Sequence, residues 1–217
     1  MTGEPRIPCG HAAQPASAHA NDAIAHSANK ASLRATLKAA RRALDPLDKA
    51  RRDALIGARV LAWWRAHSTR EADQVLGVYW PLRGEPDLQP LYLELARAGV
   101  PLALPLVVAP DSALAFVAWV PGEAMVSDRM GVAVPAEQRM VDRPGLLLVP
   151  CLGFTAERYR LGYGGGYYDR TLEDAPRPVT VGVAYQADQV AFAEGQHDVA
   201  LDVVLTEGSS LPPGTDR

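Results

Sequence analysis

The stretch Arg160-Leu161-Gly162-Tyr163-Gly164-Gly165-Gly166-Tyr167-Tyr168-Asp169 holds four glycines within five positions, with an arginine before them and an aspartate after. Glycine loses more backbone entropy on folding than any other residue, so such a run answers a requirement. Backbone without side chains can approach a ligand closely and turn its N–H groups toward an anion, assisted by a helix predicted to begin at Tyr167–Leu172. Arg160 adds a charge in a planar fork suited to phosphate. Asp169 would repel a phosphate unless a cation lay between them, which makes it a sensible Mg2+ ligand. A turn that only permits tight packing is the competing reading. The run is no Walker loop, which needs Gly-Lys-Ser/Thr, and it does not follow its strand directly as a dinucleotide fingerprint does.

Other residues with chemical capacity are scattered. Lys30 and Arg34 stand one turn apart, and with Lys38 and Arg41 they make a basic helix face. Between Lys30 and Arg70 there are eleven Lys/Arg against three Asp, whereas from Glu71 onward ten Lys/Arg face twenty Asp/Glu. That asymmetry, hidden in a net charge of −3, serves either an anionic ligand or a solvated surface. Cys9 and Cys151 suggest neither a metal pair nor a disulfide, which fits a reducing cytosol. His11, His19 and His26 are too widely spaced for a metal site. No apolar run reaches the roughly 20 residues of a membrane helix.

The elements that must carry these residues follow from periodicity. Residues 1–29 show no hydrophobic period and read as a disordered extension without the features of a signal peptide. Leu33, Leu37, Ala40 and Leu44 form one apolar helical stripe. Asp45-Pro46 ends that helix and starts a second running to about Ala66. Strands are then expected at Val75–Trp80, Pro101–Val108, Ala113–Val120, Leu146–Pro150, Thr180–Ala184 and Leu201–Leu205, with a helix from Asp87 to about Ala98. The pattern predicts an α/β fold: a three-layer α/β/α single domain with a mostly parallel sheet over residues 30–207, preceded by two N-terminal helices. Residues 208–217 read as a tail. Ligands of such sheets sit beyond the carboxyl ends of the strands, in the loops after Trp80, Pro150 and Ala184.

Leu146–Pro150, Gly153-Phe154 and the glycine run together resemble the signature of the 5-formyltetrahydrofolate cyclo-ligase family. Lys30-Ala31-Ser32-Leu33-Arg34 resembles its nucleotide-contacting helix, and Tyr79 to Asp87 resembles the segment with its folate-contacting glutamate. His197-Asp198 resembles its second acidic metal position. The resemblance spans roughly Lys30 to Glu207. It implies ATP- and Mg2+-dependent cyclisation of 5-formyltetrahydrofolate to 5,10-methenyltetrahydrofolate through a phosphorylated formyl group. It implies ATP contacts from Lys30, Ala31, Ser32, Leu33, Arg34, Arg160, Gly164, Gly165, Gly166, Tyr167, Tyr168 and Asp169. Trp80, Glu85, Tyr163 and Tyr167 are implied for the substrate, Asp169 and Asp198 for the metal, and Arg160 and Lys30 for catalysis. Tyr163 and Gly165 stand where some relatives carry basic residues. The implied protein is a cytoplasmic monomer acting on small molecules, with no nucleic-acid or membrane partner. The competing classes are another ATP- or sugar-phosphate-handling enzyme and a non-catalytic relative binding nucleic acid through its basic helices.

Overall fold

The computed structural model describes residues 16–68, 74–195 and 197–211. Helix α1 (Ala16–Arg42) starts fourteen residues before the expected Lys30. Alanine is the best helix former, and an alanine-rich segment needs no amphipathic period to be helical. Cys9, His11 and the rest of residues 1–15 lie outside the described residues, as do the side chains of His19 and His26. Helix α2 (Pro46–His67) begins as its sequence indicates, with Asp45 accepting hydrogen bonds from the N–H groups of Leu47 and Asp48 at 2.9 and 3.1 Å.

Strand β1 (Leu76–Gly77) is shorter than expected, although Val78 and Tyr79 continue its buried path. It is followed by α3 (Gln89–Arg97), β2 (Leu102–Leu106), β3 (Ala115–Trp119), the hairpin β4 (Met125–Ser127) and β5 (Ala133–Pro135), and β6 (Met140–Val141). Then come β7 (Leu146–Pro150), the ribbon β8 (Gly153–Phe154) and β9 (Arg160–Leu161), α4 (Tyr167–Glu173), β10 (Val179–Val183) and β11 (Val203–Leu205). The supposed tail contributes β12 (Ser210–Leu211), which pairs antiparallel with β11, so the domain runs past residue 207.

The main sheet has eight strands in the order β12-β11-β10-β7-β1-β2-β3-β6. The central five are parallel; β12 adds to β11, β3 to β2 and β6 to β3, each by antiparallel pairing. A parallel strand covered on both faces is apolar throughout, and β7 shows how period two divides it. Leu146 and Leu148 enter the core shared with Ile56, Val60, Leu91 and Tyr92 of α2 and α3. Leu147 and Val149 enter the opposite core with Phe154 and with Leu172 of α4. Three layers result.

Among its described side chains, helix α1 joins neither core. Its Leu37 packs with Leu152 and Leu161 beside Tyr163, Val190 and Phe192, over the β8–β9 ribbon. Strand β1 connects outward to β2, and the chain later returns to β1's other side as β7. This reversal of direction leaves a crevice beyond the carboxyl ends of β1 and β7.

Candidate active site

A cleft of about 390 Å³ opens there. Its walls include Lys30 and Arg34 of α1, Trp80, Leu82 and Glu85 after β1, Pro150 at the end of β7, and Arg160 to Asp169. Asp198 completes the polar rim. All the residues expected to act therefore converge, except Ala31, Ser32 and Leu33. Ala31 and Ser32 are exposed, and Leu33 packs beside Leu37, Leu152 and Leu161. Only every third or fourth residue of a helix faces one side, so Lys30 and Arg34 reach the cleft and the three between them do not.

In the glycine loop, Gly164 has φ 105° and Gly166 has φ 66°, values that L side chains rarely adopt. Gly166 is also the residue from which α4 starts. The loop is braced from both sides. Arg34 Nε donates to Gly162 O at 2.8 Å, and Arg170 Nη1 donates to Gly165 O at 2.9 Å. Lys38 places its ammonium 5.0 Å from the centre of the Tyr163 ring.

Four of the charges that line the cleft stand in two ion pairs. Arg160, 9% exposed, donates to Asp169 Oδ1 at 2.6 Å and lies 5.3 Å from the Tyr168 ring. Lys30 Nζ donates to Asp198 Oδ2 at 2.6 Å, and the Gly195 N–H adds a second bond to that oxygen at 2.8 Å. Each carboxylate expected to hold a metal thus holds a cation, and among the described residues no three His, Cys, Asp or Glu side chains cluster. Mg2+ is normally bound by one or two carboxylates with phosphate oxygens and water completing its shell. Two aspartates in one cleft with a glycine loop meet that requirement when a nucleotide supplies the remaining oxygens.

Glu85 is 2% exposed. Its Oε2 accepts from the Leu82 N–H at 2.7 Å, while its own N–H donates to Leu82 O at 2.9 Å, which closes the turn on itself. Among the described residues Oε1 has no hydrogen-bond partner, and neither has Arg160 Nε. Burial pushes the Glu85 carboxyl up, opposed by the Leu82 N–H, the nearby Tyr163 hydroxyl and the guanidinium groups of Arg41 and Arg160. Burial also pushes the Tyr163 hydroxyl up, and the adjacent Glu85 charge adds to this. Trp80 lines the cleft and meets Trp119 edge-on at 5.9 Å, so it serves core and site together.

Sequence reasoning missed the far wall. Pro105, Val107 and Leu114 line it, with Asp128, Met130 and Val132 from the β4–β5 turn. Asp128 Oδ1 accepts from the N–H groups of Met130 and Val132, both at 2.8 Å. The signal was present as Asp128 and Gly131 between the short apolar runs Met125-Val126 and Val132-Ala133-Val134, a turn pattern. Arg41, read only as part of a basic face, is 5% exposed and lies directly behind the cleft. Cys151 is buried and its thiol is pushed up to about 12 by that burial, as suits a core residue. The loop after Ala184 forms a 3-10 turn, Gln186–Asp188, that supports the site without lining it.

The chain is 33% identical over 140 residues to the 5-formyltetrahydrofolate cyclo-ligase of Escherichia coli, covering 60% of this chain and 76% of that one. It is 24% identical over 180 residues to the Mycoplasma pneumoniae cyclo-ligase, covering 82% and 99%. Among solved structures, the 5,10-methenyltetrahydrofolate synthetase of Aquifex aeolicus matches with a TM-score of 0.69 and 27% identity, over 87% of this chain and 95% of that one. The corresponding Mycoplasma pneumoniae structure matches in fold with a TM-score of 0.62 at 23% identity, over 82% and 98%. Residues 26–207 match the family as a whole, and the chain belongs to the 5-formyltetrahydrofolate cyclo-ligase family.

Proposed function

We propose that this cleft carries out the family's ATP-dependent closure of 5-formyltetrahydrofolate to 5,10-methenyltetrahydrofolate, with the nucleotide on the α1 and glycine-loop side and the pterin against Glu85. The unpartnered Oε1 of Glu85 carries the reading. A buried carboxylate oxygen without a partner costs free energy, and the N–H donors of a pterin would satisfy it. Glu85 has the wrong charge for phosphate, whereas Lys30, Arg34 and the loop have the right one. Trp80, Tyr163 and Tyr167 border the same space and suit a flat ring.

The formyl carbon of the substrate is deactivated by the N5 lone pair, and its oxygen is a poor leaving group. In the proposed sequence that oxygen takes the γ-phosphoryl group of ATP, the bond to the β-phosphate breaks and ADP is released. N10 then attacks the activated carbon of the iminium phosphate, the C–O bond breaks, and phosphate departs with the N10 proton. Catalysis of such a transfer is mainly positioning and charge neutralisation. Lys30, Arg34 and Arg160 provide the cations, Gly164–Gly166 the close backbone, and Glu85 the grip that holds the formyl group toward the phosphates. Mg2+, held by Asp169 and Asp198, would neutralise phosphate charge when bound. In the ligand-free protein the same two carboxylates pair with Lys30 and Arg160, so both cations stand beside the place proposed for the phosphates.

The test is formation of the methenyl product, followed by its absorbance with ATP and Mg2+ present or withheld. Product should form only when both are present. Turnover without ATP, or ATP hydrolysis indifferent to added 5-formyltetrahydrofolate, would overturn the assignment.

A further inference from the structure

The contacts of Arg41 reach four parts of the chain. Its Nε and Nη2 donate to Asp188 Oδ2 at 3.1 and 2.7 Å. Nη2 also donates to Cys151 O, just past β7, at 2.6 Å. Asp188 is held in turn by the Tyr185 N–H at 3.1 Å, and the Tyr185 ring lies 5.4 Å from the guanidinium carbon. With one edge of the planar fork fixed, the remaining nitrogen has a set direction. Nη1 points to the Tyr163 hydroxyl at 3.4 Å. The stem of Arg41 lies under the turn that carries Glu85, since a Cβ at Gly84 would stand 3.3 Å from Arg41 Cβ.

We propose that Arg41 is a positioning residue for the substrate half of the cleft: anchored by Asp188 and Cys151, it holds the Tyr163 hydroxyl beside Glu85 and sets a fixed positive charge behind that carboxylate. This rests on the reading of Glu85 as the pterin contact. Several groups besides Arg41 face Glu85: Arg160 of β9, Tyr163 of the loop, Tyr79 after β1, Tyr92 of α3, Tyr168 of α4 and Cys151. Of these only Arg160 brings positive charge, and it is shared with Asp169. Arg41 is paired as well, with Asp188, but that pair lies on the side away from Tyr163 and leaves Nη1 for the site. Burial favours the protonated Glu85, in which one oxygen becomes a donor and the charge is lost, so the arginine's charge works for substrate binding.

The experiment titrates 5-formyltetrahydrofolate, without ATP, into the full-length protein between about pH 5.5 and 8.5, and ATP separately at neutral pH. Arg41→Met should weaken folate binding about tenfold and move the acid-side loss of binding to higher pH, with ATP affinity unchanged. The double variant Arg41→Met/Asp188→Asn removes both members of the buried pair, so no Asp188 charge is stranded, and it should behave the same way. Arg41→Lys keeps the charge but loses the aimed fork, so it should restore the pH midpoint while folate affinity stays below wild type. Arg41→Lys can decide alone if neither Met variant folds: wild-type folate affinity in it overturns the proposal. Parallel loss of ATP and folate binding in the Met variants would make Arg41 merely structural and also overturn it. Glu85→Gln separates the two readings. If it binds folate normally, the pterin assignment fails and this proposal with it. If it weakens folate while Arg41→Met does not, only the present proposal fails.

Discussion

Glu85 and Lys30 are seated in opposite halves of one cleft, and their chemistry makes separable predictions. Glu85→Gln removes a charge but keeps size and part of the hydrogen bonding, so it should weaken 5-formyltetrahydrofolate binding by roughly 1–3 kcal/mol. ATP binding measured alone should hardly change. Lys30→Ala should do the reverse, raising the ATP requirement while folate still binds the nucleotide-free protein. Asp169→Asn keeps an acceptor for Arg160 but removes the charge that a metal needs, so turnover should collapse with the fold retained. Near-normal activity at limiting Mg2+ would count against Asp169. Glu85 also predicts a pH effect on stability. Its carboxyl is raised in the folded protein, so the folded state binds the proton more tightly than the unfolded chain does. Its contribution is then favourable at low pH and is lost as pH rises from the ordinary glutamate range through the raised value. Denaturant midpoints of the ligand-free protein across that interval should fall more for wild type than for Glu85→Gln. An identical slope in both would show that the burial of Glu85 costs nothing.

At the level of elements, the site depends on how closely α1 sits on the β8–β9 ribbon. A Cβ at Gly153 would stand 2.8 Å from Leu37 Cδ1, 3.1 Å from Val190 Cγ2 and 3.2 Å from Asp188 O. Two of these are side-chain tips that can shift, but the third is backbone in the turn that anchors Arg41. Gly153→Ala should therefore destabilise the protein by about 1–3 kcal/mol, the usual cost of overpacking. It should also weaken ATP binding by displacing Lys30 and Arg34. Unchanged affinity for ATP in a destabilised variant would show that α1 adjusts without moving its cations. Strand β7 shows the opposite economy. Its five residues carry no chemistry, yet their alternation between two cores fixes where Pro150 ends and where the ribbon begins.

Across the whole molecule, the cleft is closed by segments far apart in sequence, joined by few direct bonds. Lys30 and Asp198 are 168 residues apart and Arg41 and Asp188 147 apart. Ligands that bind both halves should therefore stabilise the fold as a unit. A ligand at a hundred times its Kd adds about 2.7 kcal/mol. For a chain of this size that corresponds to roughly 5–11 °C in melting temperature. ATP and 5-formyltetrahydrofolate should each produce such a shift in thermal denaturation, and no shift with either would contradict a cleft formed by the folded domain. Among the described residues no helix is long and apolar enough to cross a membrane. Much of this architecture was legible from local chemistry. The Asp45-Pro46 helix start, the fully apolar β7 and the glycine loop with its flanking Arg160 and Asp169 each depend on residues within a few positions of one another. Helix α1 before Lys30 carries no hydrophobic period because alanine propensity suffices to form it, and β12 leaves no local signal because its two residues gain strand character only from their neighbour β11. The pairing of Lys30 with Asp198, the burial of Arg41 behind Tyr163 and Glu85, and the far wall of the β4–β5 hairpin were decided by tertiary structure. They arise from strand order and from the reversal between β1 and β7, and long-range contacts of that kind leave no period or spacing in the chain to read.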